Sequence, residues 1–177
     1  MDIHEDDLLN WCENEVAIDF PDKATAAEFW ALVATDDDSP LVDAFLPMPS
    51  VFFDRDENAA YAATGFTNWP DWANANWGTK WGDCRTRVSA PLDTHLEITF
   101  DTAWKQLAAS FWMGVSRRFP TAQIRVVYKE SGMGFQGAEA YYGGISVYCD
   151  QGDYTDFAWA AEVALEEHVY ELTKKES

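Results

Sequence analysis

Three stretches alternate apolar and polar side chains with a period of two, and they restrict the fold more than any other feature. Over 11–20, Cys12, Asn14, Val16, Ile18 and Phe20 point one way, while Trp11, Glu13, Glu15, Ala17 and Asp19 point the other. Leu96, Ile98 and Phe100 alternate with His95, Glu97 and Thr99, and Ile124, Val126 and Tyr128 repeat the pattern. Such strands need an apolar cover on one face and meet water on the other. Helical segments between them can supply the cover. Ala26, Phe29, Trp30 and Val33 predict a helix over 24–35, capped by Asp22 or Thr25. Trp104, Leu107, Ala108, Phe111, Trp112 and Val115 predict a second of about four turns, ending near Arg117, Arg118 and Pro120.

The remaining segments are read more coarsely. Asp36, Asp37 and Asp38 form a loop, because acids oppose the dipole at a helix C-terminus. Residues 40–58, with Pro40, Pro47 and Pro49, read as irregular but apolar enough to lie along the body. Residues 59–82 read as helical turns and loops, and 85–90 as a short strand. Gly132, Gly134 and Gly137 make a flexible link to a strand over 138–149, and Gly152 and Asp153 turn the chain. A last helix is expected from about 155 to 172, with Phe157, Ala161, Leu165, Val169 and Leu172 on one face. This order predicts an α+β fold with helices on one face of an antiparallel sheet. With the 85–90 strand the core reads β-α-β-β-α-β, the ferredoxin-like arrangement. The chain, 1–177, is expected to be one domain. It would comprise a core over 10–149, an insert at about 40–84 and an acidic C-terminal helix over 150–177.

Residues 68–81 hold four of the nine tryptophans, Trp69, Trp72, Trp77 and Trp81, among Asn, Gly and Pro. This is not an ordinary helix face. The rings can plug a core that regular elements leave open, anchor a protein interface, or stack nucleic-acid bases beside Lys80, Arg85 and Arg87.

Net charge argues against direct binding to DNA or to an anionic membrane, since at −19 both repel the chain. The charge is uneven. Residues 1–57 carry 16 acids against Lys23 and Arg55, 58–149 carry seven acids and eight bases, and 150–177 carry eight acids against Lys174 and Lys175. Cys12, Cys84 and Cys149 are scattered and odd in number, which fits reduced thiols better than a disulfide framework or structural zinc. The N-terminus lacks the basic and apolar runs of a signal peptide, and no stretch approaches the ~18 apolar residues of a membrane span. A cytoplasmic setting in a host cell is expected.

Several blocks resemble a known family. Asn10-Trp11-Cys12-Glu13-Asn14, Leu46-Pro47-Met48-Pro49, Asn76-Trp77-Gly78-Thr79-Lys80-Trp81, Phe100-Asp101-Thr102-Ala103-Trp104, Phe119-Pro120 and Tyr128-Lys129-Glu130 run in order along the chain. They resemble the YubB-type ferredoxin-like family of phage and plasmid proteins from residue 10 to about 149. The resemblance implies the fold and a mobile-element origin, and carries no catalytic residue. No iron–sulfur cluster is implied, since three scattered cysteines cannot supply four ligands.

Candidate chemistry is sparse. His4 with Glu5, Asp6 and Asp7, and the Asp36–Asp38 run, offer oxygen ligands without the fixed spacing of a cation site. His95 and Glu97 project the same way and could act as base and orienter, with Cys84 as a nucleophile if the fold joins them. Cys12 and Cys149 are expected in the core, and His168 to pack beside the last helix. No Walker loop, G-x-S-x-G or H-E-x-x-H occurs. The expected function is a non-enzymatic acidic binding protein of a mobile genetic element, with no cofactor and no metal. In its sharper form it is an anti-defence inhibitor that mimics nucleic acid and occupies a host nucleic-acid-binding protein. The binding residues expected are Asp36, Asp37, Asp38, Asp54, Asp56, Glu57, Trp72, Trp77 and Trp81. The alternatives are a single-stranded nucleic-acid binder using the Trp block, or a small enzyme around His95 and Cys84.

Overall fold

The computed structural model describes residues 10–35 and 38–153. Six strands form one antiparallel sheet in the order β2-β3-β1-β4-β5-β6. They are β1 (Trp11–Asp19), β2 (Cys84–Val88), β3 (His95–Ala103), β4 (Gln123–Glu130), β5 (Phe135–Tyr142) and β6 (Ile145–Asp153). The three alternating stretches are β1, β3 and β4, with β1 between the other two. Register lines Ile18 up with Leu96 and Ile124, and Val16 with Ile98 and Val126. These rows of branched side chains form the inner face of the sheet.

Five helices cover that face: α1 (Lys23–Val33), α2 (Pro40–Phe45), α3 (Glu57–Thr64), α4 (Trp69–Asn76) and α5 (Ala109–Arg118). Each contributes buried side chains to the same apolar cluster as the strands. In α1, Asp22 caps the helix by accepting from the Thr25 amide at 2.8 Å, and Ala26, Phe29 and Val33 are buried. Trp30, expected in that stripe, lies at its edge and is 38% exposed.

The structure corrects several expectations. The segment over 40–58 is largely helical, comprising α2 and a 3₁₀ turn at Ser50–Asp54. Pro40 suits a first helical turn, and the carboxylate of Asp83 accepts from the Leu41 and Val42 amides at 3.1 and 2.9 Å. That acceptor lies about forty residues away in sequence, so no local pattern announces it. The helix expected from Trp104 starts only at Ala109, because β3 runs to Ala103 and Trp104 takes a left-handed φ of 65°. The single strand expected over 138–149 is a hairpin of β5 and β6 turning at Gly143-Gly144, whose φ values of 61° and 81° suit such a turn. Gly137 lies inside β5, where a Cβ would come within 2.3 Å of the Tyr128 hydroxyl. Gly152 and Asp153 lie in β6 and pair with Gln136 and Phe135 of β5 rather than turning the chain. The helix expected at 155–172, with His168, and the acidic N-terminus with His4 lie outside the described residues.

Candidate functional site

The tryptophan block folds as α4 and the loop after it. Asn68 caps α4 by accepting from the Asp71 amide at 3.0 Å, and Pro70 occupies its first turn. Trp72 and Trp77 are buried, 5.2 Å apart edge to face, and Phe52 lies 6.1 Å from Trp72. The Trp77 indole donates to the Leu46 carbonyl at 2.8 Å, so its polar edge is satisfied. Trp72 is therefore core packing and not, as expected, a binding surface. Trp69 and Trp81 stay half-buried.

The 77–81 loop is held at several points. The Ala108 amide donates to the Trp77 carbonyl at 2.7 Å, and the Thr79 hydroxyl to the Ala103 carbonyl at 3.0 Å. Gly78 has a φ of 84°, and a Cβ there would approach the Ala108 nitrogen to 2.8 Å. The loop thus projects Trp81 outward, where it stacks on Trp104 at 6.0 Å and meets Trp11 at 6.3 Å. Cations lie on these rings. The Lys80 ammonium is 4.9 Å from the Trp81 ring centre and 5.9 Å from that of Trp69, and the Arg85 guanidinium is 4.4 Å from Trp11.

Between this loop, α2 and the 3₁₀ turn lies a cleft of about 800 Å³. Trp69, Trp77, Trp81 and Phe52 supply aromatic walls, and Asp38, Asp43, Arg55 and Lys80 line it with charge. A second depression of about 150 Å³ shares Phe52, Arg55 and Trp69 with it and carries Asp56 and Glu57. Of the residues expected to bind, Asp38, Trp77 and Trp81 line the cleft, and Asp56 and Glu57 line the depression that shares its walls. Asp54 is exposed in the adjoining turn, and Asp36 and Asp37 lie outside the described residues. The Asp56 carboxylate accepts from the Asn58 and Ala59 amides at 3.0 Å, fixing its charge at the start of α3. Sequence reasoning missed Asp43, Arg55, Trp11 and Trp104. Only Arg55 had a signal, as a single base within an acidic run.

Acids on the outer face of the sheet differ, because bases pair with them. Glu13 meets Lys129 at 2.9 Å, Asp19 meets Arg125 at 2.5 Å, and Asp101 meets Arg85 at 3.1 Å. No such pair joins Asp54, Asp56 or Glu57 to a base among the described residues.

The other candidates do not assemble. His95 Nδ1 lies 2.7 Å from Asp19 and its Nε2 3.6 Å from Glu97, so the imidazole is held between two carboxylates on the sheet. Cys84 pairs across from Asp101, six residues along β3 from His95 and therefore about 20 Å away. Burial pushes the Cys84 thiol up to about 11 and the Cys12 thiol up to about 12, against any nucleophilic role. Cys12 is buried as expected, but Cys149 is exposed, since β6 is an edge strand. Among the described residues no group of three His, Cys, Asp or Glu side chains could hold a metal ion. No helix among them is long and apolar enough to cross a membrane.

No protein-family model and no curated protein matches the chain. A solved structure does. The protein api92 from Yersinia pseudotuberculosis, described with the family model DUF1281, aligns with a TM-score of 0.52 at 20% identity. The match covers 73% of this chain and 45% of api92, so the chain spans less than half of that protein's length. At this identity the likeness shows the α+β fold and nothing about activity.

Proposed function

We propose that the chain is a non-enzymatic binding protein that engages a host protein through the tryptophan-walled cleft and its acidic rim. One observation carries this. Asp38, Asp43, Asp56 and Glu57 border the same joined depressions as Trp69, Trp77 and Trp81. Aromatic anchors in a pocket supply binding energy, and surrounding charge steers the encounter. Asp54, Asp56 and Glu57, which form no salt bridge among the described residues, present the charge a Lys/Arg-rich nucleic-acid groove expects, so we propose as partner a host nucleic-acid-binding defence component. The ferredoxin-like reading belongs with this proposal. Its support is the strand order β2-β3-β1-β4, all antiparallel, with helices after β1 and β3. The mobile-element origin rests on the resemblance of the sequence blocks. Base stacking on the tryptophans is the weaker reading, because Lys80 and Arg85 already occupy ring faces and the net charge repels a polyanion.

The test is capture from nuclease-treated host lysate by wild type, by the triple variant Asp54→Asn, Asp56→Ser, Glu57→Gln, and by Trp81→Ala. Serine keeps the α3 cap while removing charge. Loss of roughly tenfold in affinity with the triple variant, shrinking as salt rises, is expected for a partner held this way. Unchanged binding by both variants would sink the proposal, and retention of single-stranded oligonucleotide at moderate salt would favour base stacking instead.

A further inference from the structure

The cleft already holds a cation of its own. Lys80 lies over Trp81 and Trp69 while Asp38 and Asp43 line the same space. It forms no ion pair with an acid among the described residues, in a chain with 31 acids and 12 bases. Rings plus nearby carboxylates form the environment that recognises a cationic side chain.

We propose that Lys80 is an internal stand-in, and that the space between Trp69 and Trp81 receives an arginine side chain of the protein partner, which displaces it. This rests on the binding-protein reading above. Arginine fits better than lysine for three reasons. A guanidinium is planar and weakly hydrated, so it stacks on indole at less desolvation cost. It can donate two parallel hydrogen bonds to a carboxylate such as Asp38 or Asp43. The same aromatic cluster already carries one, with Arg85 stacked over Trp11. The loop that carries Trp81 is held in place, because Trp77 is tied to Leu46 and Thr79 to Ala103, whereas the Lys80 ammonium sits on a flexible four-carbon stem that can swing into water.

The test uses the full chain and a peptide of arginines spaced by glycine and serine, with citrulline replacing arginine in the control. Indole N–H signals of Trp69 and Trp81 are followed by NMR, and affinity by titration. The arginine peptide should move both signals, and the citrulline peptide neither. Lys80→Met, with Lys80→Gln as a second variant, should bind the arginine peptide about fivefold more tightly at low and at high salt, because a competitor has gone. Arg55→Gly is the control. It removes another base from the cleft at a φ of 54° that glycine accepts, and its gain should vanish in high salt. Equal gains for Lys80→Met and Arg55→Gly at both salts, or silent indole signals, would overturn the stand-in. So would a captured host partner whose affinity Lys80→Met leaves unchanged, with the binding-protein reading intact. The expected peptide result with no host partner captured would support the arginine site and sink the host-partner reading.

Discussion

Asp83 shows what one buried carboxylate does for a region that local sequence leaves undecided. It is wholly buried, and besides the two α2 amides it accepts from the Thr86 hydroxyl at 2.7 Å. Burial pushes its pKa up from 3.8 to about 6, against the pull of those hydrogen bonds. The folded value lies above the unfolded one, so the folded state binds more protons between the two. From this group, stability rises as pH falls from above 6 towards 4, and gains nothing further below 3.8. Glu139, raised by burial beside the Tyr141 hydroxyl, acts in the same direction. Asp83→Asn should flatten the part of the stability–pH curve that Asp83 contributes, read as the difference between wild-type and variant urea unfolding across that range. Asp83→Ala should lose about 1–3 kcal/mol, because two buried amides are left without an acceptor. Amide exchange at Leu41 and Val42 should rise with it, and unchanged exchange there would refute this role.

The loop from Trp77 to Trp81 joins the insert to the sheet, and Gly78 is its tightest point. Its left-handed φ and its approach to Ala108 leave no room for a side chain. Gly78→Ala should therefore cost about 1–3 kcal/mol in strain. The expected readout is a lower unfolding midpoint with an unchanged denaturant slope, together with altered emission from Trp81. A variant as stable as wild type would show that the loop is not held this way. Trp104 is the other irregular point. Its left-handed backbone lets β3 end and α5 begin five residues later, and its ring then covers Trp81. Both features bear on Trp81, which lines the cleft.

The whole molecule carries far more negative than positive charge. Self-repulsion then opposes the compact state. Thermal unfolding should shift upward as sodium chloride is added, with most of the rise complete by about 0.15 M, where the screening length is ~8 Å. A flat or falling midpoint would mean that the paired acids of the sheet already balance the field. The paired acids of the sheet face differ from Asp54, Asp56 and Glu57, which form no salt bridge among the described residues. Encounter with a basic partner is expected to occur at the insert.

Periodicity in the sequence determined β1, β3, β4 and α1. Alternation and helical spacing are local consequences of having one wet and one dry face, and Asp22 supplied its own cap. Composition likewise set the net charge and the scattered thiols. Local pattern was insufficient where a distant group decides the conformation. Examples are α2, which depends on Asp83, and Gly137, which lies against Tyr128. Trp104 stands where the spacing called for helix, and its backbone is left-handed. The candidate site was half legible. The acids and the Trp block could each be named, but not their meeting around one cleft, nor the place of Arg55, Asp43 and Lys80 within it. Those neighbours come from segments up to dozens of residues apart, and only the packing of α2, the 3₁₀ turn and the 77–81 loop sets them around one space.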